Sequence, residues 1–182
     1  MENKAEEAGM KLRGRVAIIT GAGGGLGRSH ALTLAGLGTK ILVNDMNAEA
    51  ADRVAREIAE AGGEAIGFAA SVTDEARIAE MAARAMDAWG RIDILVNNAG
   101  ILRDRSFAKM TMAEFREVVE VHLMGSAICT KAVWEIMREQ RYGRVVMTTS
   151  SSGLFGNFGQ ANYGAAKMAL VGLMQTLALE GE

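Results

Sequence analysis

The sequence predicts an α/β fold in which a doubly wound parallel sheet carries helices on both faces. Three observations carry that expectation. Apolar, β-rich runs alternate with alanine-rich amphipathic stretches along the chain, the pattern of a parallel sheet with crossover helices. A glycine-rich run, T-G-A-G-G-G-L-G from Thr20 to Gly27, stands between the first such strand and the first such helix. The 182 residues are 49% hydrophobic and 23% charged, enough for one domain with a sizeable core and no internal repeat.

The elements follow in order. Val16 to Thr20 is a short β-rich run, and Leu26 to Leu37 has helical periodicity that ends at Gly38. Ile41 to Asn44 is the second strand. Asn47 caps the next helix, whose apolar positions Ala51, Val54, Ala55 and Ile58 recur at helical spacing until Gly62-Gly63 stops it. Glu64 to Ala69 is a third strand, Thr73 to Trp89 a third helix and Ile92 to Asn97 a fourth strand. The longest periodic segment runs from Thr111 to about Glu139 and opens on a capping-box pair, Thr111 and Glu114. Arg144 to Thr149 is a fifth strand, and Ala161 to Glu180 the last helix.

Composition excludes several classes of function. A net charge of −2 gives no basic surface for nucleic acid, and no apolar run reaches the roughly 18 residues of a membrane span. The one cysteine, Cys129, cannot form an internal disulfide, which points to a reducing compartment. Met1 to Arg13 is charged and alanine-rich without a signal-peptide core and is expected to be a disordered lead-in, with residues 14–182 expected to form a single domain. No metal site is expected.

The glycine-rich turn has the context of a Rossmann-type dinucleotide site. Its glycines let the backbone approach a pyrophosphate, and the helix N-terminus that follows favours an anion. The spacing of Gly21, Gly25 and Gly27 is G-x-x-x-G-x-G, and a structural turn without a ligand remains the alternative at this stage. Asp45 ends the second strand, where the adenosine ribose of a bound dinucleotide would lie. A carboxylate there accepts both ribose hydroxyls and repels the extra phosphate of NADP, and bonds to a charged group are worth roughly 1.5–3 kcal/mol. The bland reading of Asp45 is a turn residue ahead of the Asn47 cap. Arg28, just inside the first helix, weakly favours NADP, but NAD is the expected cofactor.

Downstream, Tyr163-Gly-Ala-Ala-Lys167 follows Ser150 by 13 residues. A phenol titrates near ~10 in water, so a tyrosine serves as a proton shuttle near neutrality only beside something that stabilises its phenolate. On a helix, Lys167 lies one turn from Tyr163 on the same face. Ser150 would donate a hydrogen bond to the same substrate oxygen, although Ser151 and Ser152 crowd that assignment.

T-G-x-x-x-G-x-G, Asn97-Asn98-Ala99-Gly100, Ser150 and Tyr163-x-x-x-Lys167 stand in the order of the classical short-chain dehydrogenase/reductase family, which the chain resembles from about Leu12 onward. The resemblance implies that Tyr163 is the acid/base, that Lys167 supports its phenolate and holds the nicotinamide ribose, and that Ser150 orients the substrate oxygen. It also implies cofactor contacts from Gly21, Gly25, Leu26, Gly27, Asp45, Ser71, Val72, Asn98, Ala99, Gly100, Tyr163 and Lys167, with Asn97 supporting the sheet centre. The stretches Asn97 to Phe107 and Gly156 to Tyr163 look like the (3R)-hydroxyacyl-CoA dehydrogenase units of type 2 multifunctional enzymes. That group resembles this chain in two departures as well: histidine, His122, where most members carry a tetrad asparagine, and Ser71 in place of an aspartate.

A lone histidine among Val118, Val119, Val121 and Leu123 reads by itself as a core residue; the resemblance makes His122 a catalytic support that steadies Lys167 through water or backbone. His30 is read as a helix-face residue. Arg103 and Arg105 are read as a local ion-pair cluster around Asp104, with CoA phosphates as the alternative. Met81, Met86, Met110, Met112, Met124, Met137, Met147, Met168 and Met174 are expected to fill core or line the pocket.

The implied reaction interconverts a secondary alcohol and a ketone with NAD, on a (3R)-3-hydroxyacyl-CoA of fatty acid metabolism. Alternatives are a hydroxysteroid dehydrogenase, a 3-ketoacyl-carrier-protein reductase or, outside enzymes, an NAD-binding sensor or scaffold. The partners expected are a small molecule, an acyl thioester, and copies of the same chain in a homodimer or homotetramer. Neither nucleic acid nor membrane is expected, and the location is cytoplasmic, or peroxisomal in a eukaryote. Family members continue with two more strands and a substrate loop, so the resemblance predicts a sheet lacking its last two strands. The absence of proline fits a missing piece.

Overall fold

In the computed structural model, residues 12–182 are described; residues 1–11, which hold most of the expected lead-in, lie outside them. Five parallel strands, β1 (Val16–Ile19), β2 (Lys40–Asp45), β3 (Ala65–Ala69), β4 (Ile94–Asn97) and β5 (Arg144–Met147), form one sheet in the order β3-β2-β1-β4-β5. Ile18 pairs with Leu42 on one side and Leu95 on the other, which fixes β1 at the centre. The chain winds outward from β1 to β3, then crosses back to β4. That reversal between β1 and β4 opens a crevice at the carboxyl ends of the strands, where ligands bind in sheets of this kind.

The helices are α1 (Gly25–Gly36), α2 (Ala48–Glu60), α3 (Glu75–Trp89), α4 (Met112–Val119), α5 (Gly125–Glu139), α6 (Ser151–Phe155) and α7 (Ala161–Glu180). Alternate strand residues divide the core between the two faces of the sheet. Ile18, Leu42 and Leu95 meet Ile78 and Met81 of α3 and Cys129 and Val133 of α5. Ala17, Ile19, Ile41 and Val43 meet Ala31 of α1 and Val54 and Ile58 of α2. Asn47 caps α2 through Ala50 N, and Asp74 caps α3 through Arg77 N, so that helix starts at Glu75 and not at Thr73. The Thr111–Glu114 capping box is present at α4.

At the end of the sheet away from the crevice, Asp93 is fully buried. Its carboxylate accepts from Arg15 Nη1 at 2.7 Å, Val16 N at 2.9 Å, and Arg91 Nε and Nη2 at 2.7 Å each. The Arg15 guanidinium also stacks 3.7 Å above the Tyr142 ring.

Two features depart from the sequence-based expectation. The segment Thr111 to Glu139 is not one α-helix: a π-helical turn, Glu120–Met124, separates α4 from α5. Gly125 lies so close to Val72 that a Cβ there would sit 2.5 Å from Val72 Cγ2. Ser126 Oγ and Thr130 Oγ1 donate back to the carbonyls of His122 and Ser126, at 2.6 and 2.7 Å. Back-bonding of this kind bends helices, and single π turns accompany functional sites. The second feature is α6, a short helix directly after β5 that no periodicity announces.

Candidate active site

The crevice floor is made by the ends of β1, β2 and β4. Thr20 Oγ1 accepts from Asn98 N and Ala99 N, both at 3.0 Å, while Asn98 Nδ2 donates to Thr20 O at 2.9 Å and Gly21 O at 3.1 Å. Asn98 thus spends its side chain on tying β4 to the glycine-rich turn. Gly27 closes α1 onto that turn, since a Cβ there would lie 2.3 Å from Gly21 O. Gly24 and Gly25 have open space where a side chain would be, and α1 carries neither a side-chain cap nor an acid in its first turn. Its first N–H groups and positive dipole end therefore fit a pyrophosphate. Leu26 projects beside them, 68% exposed.

Asp45 occupies the end of β2 and reaches the same turn. Its Oδ2 accepts from Gly23 N and its Oδ1 from Asn47 N, each at 3.0 Å, which leaves lone pairs on both oxygens for ribose hydroxyls. Arg28 turns away to Glu57, with Nε 2.8 Å and Nη2 2.7 Å from Oε2. Ser71 Oγ lies 2.8 Å from Thr73 Oγ1 in a tight turn, and buried Val72 packs on Gly125.

Ser150 is the N-cap of α6, with Oγ accepting from Ser152 N at 3.2 Å and its own proton left to donate. Two glycines bring α6 onto the first turns of α7. A Cβ on Gly153 would lie 2.9 Å from Met168 N, and one on Gly164 3.0 Å from Ser152 O. Neither glycine was singled out from sequence, where nothing marks them as contact points.

Tyr163 is half-buried in the first turn of α7. Lys167, one turn on, is 3% exposed; its Nζ donates to Thr148 O and lies 5.5 Å from the Tyr163 ring centroid. Burial brings the Lys167 ammonium down to about 8. Thr149 Oγ1 donates to Lys167 O at 2.8 Å and fixes that turn of the helix.

The π turn delivers His122 to the same pocket. The residue is 3% exposed, and its ring comes so close to Gly100 that a Cβ there would be 2.3 Å from Cε1. Its Nε2 faces Ile101 N at 3.1 Å and Ile101 O at 2.8 Å, one of which it serves in either neutral tautomer. Nδ1 has no partner. Burial, helped by the charge of Lys167 and opposed by the bond to Ile101, holds His122 below the usual histidine range, so the ring is neutral at pH 7.

Other candidates take structural places. Asn97 Nδ2 donates to Thr130 Oγ1 at 3.0 Å beneath the sheet centre. The expected cluster around Asp104 does not form: neighbouring side chains diverge along the extended loop. Arg103 pairs with Glu117 through two contacts of 2.8 Å, Arg105 with Glu114 at 2.7 Å, and Asp104 accepts from Gln160 Nε2 at 2.8 Å. Burial pushes the Cys129 thiol up to about 12, which makes it inert. His30 sits half-buried on α1. Met81 and Met137 lie in the core, whereas Met112, Met124, Met168 and Met174 are exposed. Among the described residues no three metal-binding side chains converge, and no helix is long and apolar enough to cross a membrane.

The chain is similar to known proteins in sequence and fold. The family model for short chain dehydrogenases matches residues 15–182. A peroxisomal multifunctional enzyme type 2 of Drosophila melanogaster is 52% identical over 94% of this chain, which spans 30% of that protein. A peroxisomal hydratase-dehydrogenase-epimerase of Saccharomyces cerevisiae is 51% identical over 94% of the chain and 20% of its own length. Among solved structures, an NAD+-bound xylitol dehydrogenase superposes with a TM-score of 0.91 at 35% identity, covering 94% of this chain and 66% of that one.

Proposed function

The chain belongs to the short-chain dehydrogenase family, and from that premise we propose that it is an NAD-dependent oxidoreductase unit that interconverts a (3R)-3-hydroxyacyl-CoA and the 3-ketoacyl-CoA. The observation that carries this reading is the buried Lys167 ammonium beside Tyr163, in a pocket reached by the Ser150 helix. In the oxidation direction Tyr163, as phenolate, takes the hydroxyl proton, and Ser150 donates a hydrogen bond to the same oxygen. Lys167 favours the phenolate by its charge and holds the nicotinamide ribose. A bound nicotinamide supplies the acceptor for the carbinol hydride. Neutral His122 supports Tyr163 and the Ile101 backbone without taking the proton itself.

NAD is supported by Asp45 at the ribose end and by Arg28 being engaged with Glu57. An acyl chain is supported by Phe155, the last residue of the Ser150 helix, and Phe158 just beyond it, 86% and 89% exposed. The hydroxyacyl thioester rests on the resemblance of the stretches Asn97 to Phe107 and Gly156 to Tyr163, and a peroxisomal location on the names of the relatives. Self-association is supported by an apolar groove of about 550 Å³ between α3, α5 and α7, lined by Ile128, Trp134, Leu173 and Leu177.

The test is NADH formation with (3R)-hydroxyacyl-CoA, its (3S) epimer and a hydroxysteroid, with NADP in parallel. Selective turnover of the (3R) thioester with NAD supports the proposal. Preference for the steroid moves the protein to the hydroxysteroid reading, preference for NADP with a carrier-protein substrate to the reductase reading, and NAD binding without turnover to a sensor.

A further inference from the structure

Helix α7 begins without a conventional cap. Its N-cap residue, Gln160, makes no side-chain bond to the helix, so the N–H of Tyr163, in the first turn, has no partner from that source. Asn162 takes over this task from inside the helix: its Oδ1 accepts from Tyr163 N at 2.7 Å. The other half of the same carboxamide points outward. Nδ2 donates to Arg103 O at 3.1 Å and more weakly to Glu114 O at 3.5 Å. Asn162 is completely buried, and each half of its amide is satisfied.

The loop it holds is the strap Ile101–Arg105. His122 meets the strap at Ile101, Gln160 holds it at Asp104, and Arg105 N donates to Gly159 O at 2.9 Å. Two contacts of Tyr163 therefore run to this strap: His122 meets its ring, and Asn162 holds its backbone N–H. We infer that Asn162 is a positioning residue for Tyr163, one carboxamide that fixes the backbone of the proposed acid/base to the strap carrying the backbone partner of His122. This rests on the oxidoreductase reading. Misplacement of a reacting group by about 1 Å costs on the order of a hundredfold in rate, so the tether bears on turnover more than on cofactor affinity.

Asn162→Asp separates the two halves of the amide. It keeps an acceptor for Tyr163 N but sets a carboxylate oxygen against the carbonyls of Arg103 and Glu114. Asn162→Ser shortens the side chain and loses the reach to the strap, and serves if the aspartate variant does not fold. With either variant, kcat for the alcohol falls about ten- to a hundredfold, NAD affinity stays within about twofold, and the amides of Ile101 and Arg105 exchange hydrogen faster. Turnover within about twofold of the wild type would overturn the inference, as would parallel loss of kcat and NAD affinity, which marks general destabilisation. A wild-type protein that binds NAD without turnover removes the oxidoreductase reading, and the tether then stands or falls on the exchange rates alone.

Discussion

The imidazole of His122 meets the ring of Tyr163 edge to face, with centroids 5.2 Å apart and planes at 90°. A neutral imidazole offers this contact without adding a second cation next to Lys167. Because the folded protein holds His122 below its ordinary 6.5, the unfolded chain binds more protons as pH falls below that value. The wild type should lose stability as pH drops through 6.5 toward the lowered folded value, and His122→Asn should flatten that slope in thermal melts across the same range. His122→Ala should lower kcat about ten- to a hundredfold, while His122→Asn, whose carboxamide can also bond the Ile101 backbone, should retain more. Equal activity of the alanine variant and the wild type would exclude a role for the ring.

Tyr163→Phe removes one oxygen and leaves the ring against His122. Proton transfer by a positioned side chain contributes about 10²–10⁴-fold, so turnover should fall by at least that range while NAD binding, followed by fluorescence, stays within a few-fold. Retained turnover would move the acid/base role elsewhere.

Burial of Lys167 makes stability depend on alkaline pH. Its folded value of about 8 lies below the ordinary 10.5, so the unfolded chain binds more protons between those limits and stability rises with pH across them. The cost of keeping the ammonium charged in its pocket is fully present below about 8. Lys167→Met should lose activity and also lose this alkaline gain. Denaturant titrations at several pH values, compared between variant and wild type, isolate the lysine from other groups that titrate there.

Asp45→Ala removes the carboxylate from the ribose end of the crevice and frees Gly23 N and Asn47 N. NAD binding should weaken, and discrimination against NADP should narrow by one to two orders of magnitude, consistent with charged hydrogen bonds of about 1.5–3 kcal/mol. Dissociation constants for both nucleotides measure it. An unchanged ratio would make Asp45 a turn residue only.

The strands, the glycine-rich turn and most helices were legible because their signals are local: alternation, caps and glycines within a few residues. The π turn was not, because it depends on Gly125 meeting Val72, 53 positions away in the chain, and on side chains donating back along the helix. Helix α6 was too short for periodicity and is held by Gly153 against α7. Sequence also placed Asp104 between Arg103 and Arg105 without showing that their side chains diverge. His122 is the clearest limit: its apolar neighbours in sequence said core, and its contacts with Gly100, Ile101 and Tyr163 come from two other segments.

Asp93, at the far end of the sheet, gives the fold a second response to acid. Burial alone would raise its carboxyl, but the bonds from Arg91, Val16 N and Arg15 outweigh it and hold the group below the ordinary 3.8. Its share of stability is complete above that value and is lost only as pH falls through the lowered one. His122 meets its acid limit first, beginning below 6.5. Acid is thus met in two stages at opposite ends of one sheet, with the crevice end weakening before the end held by Asp93.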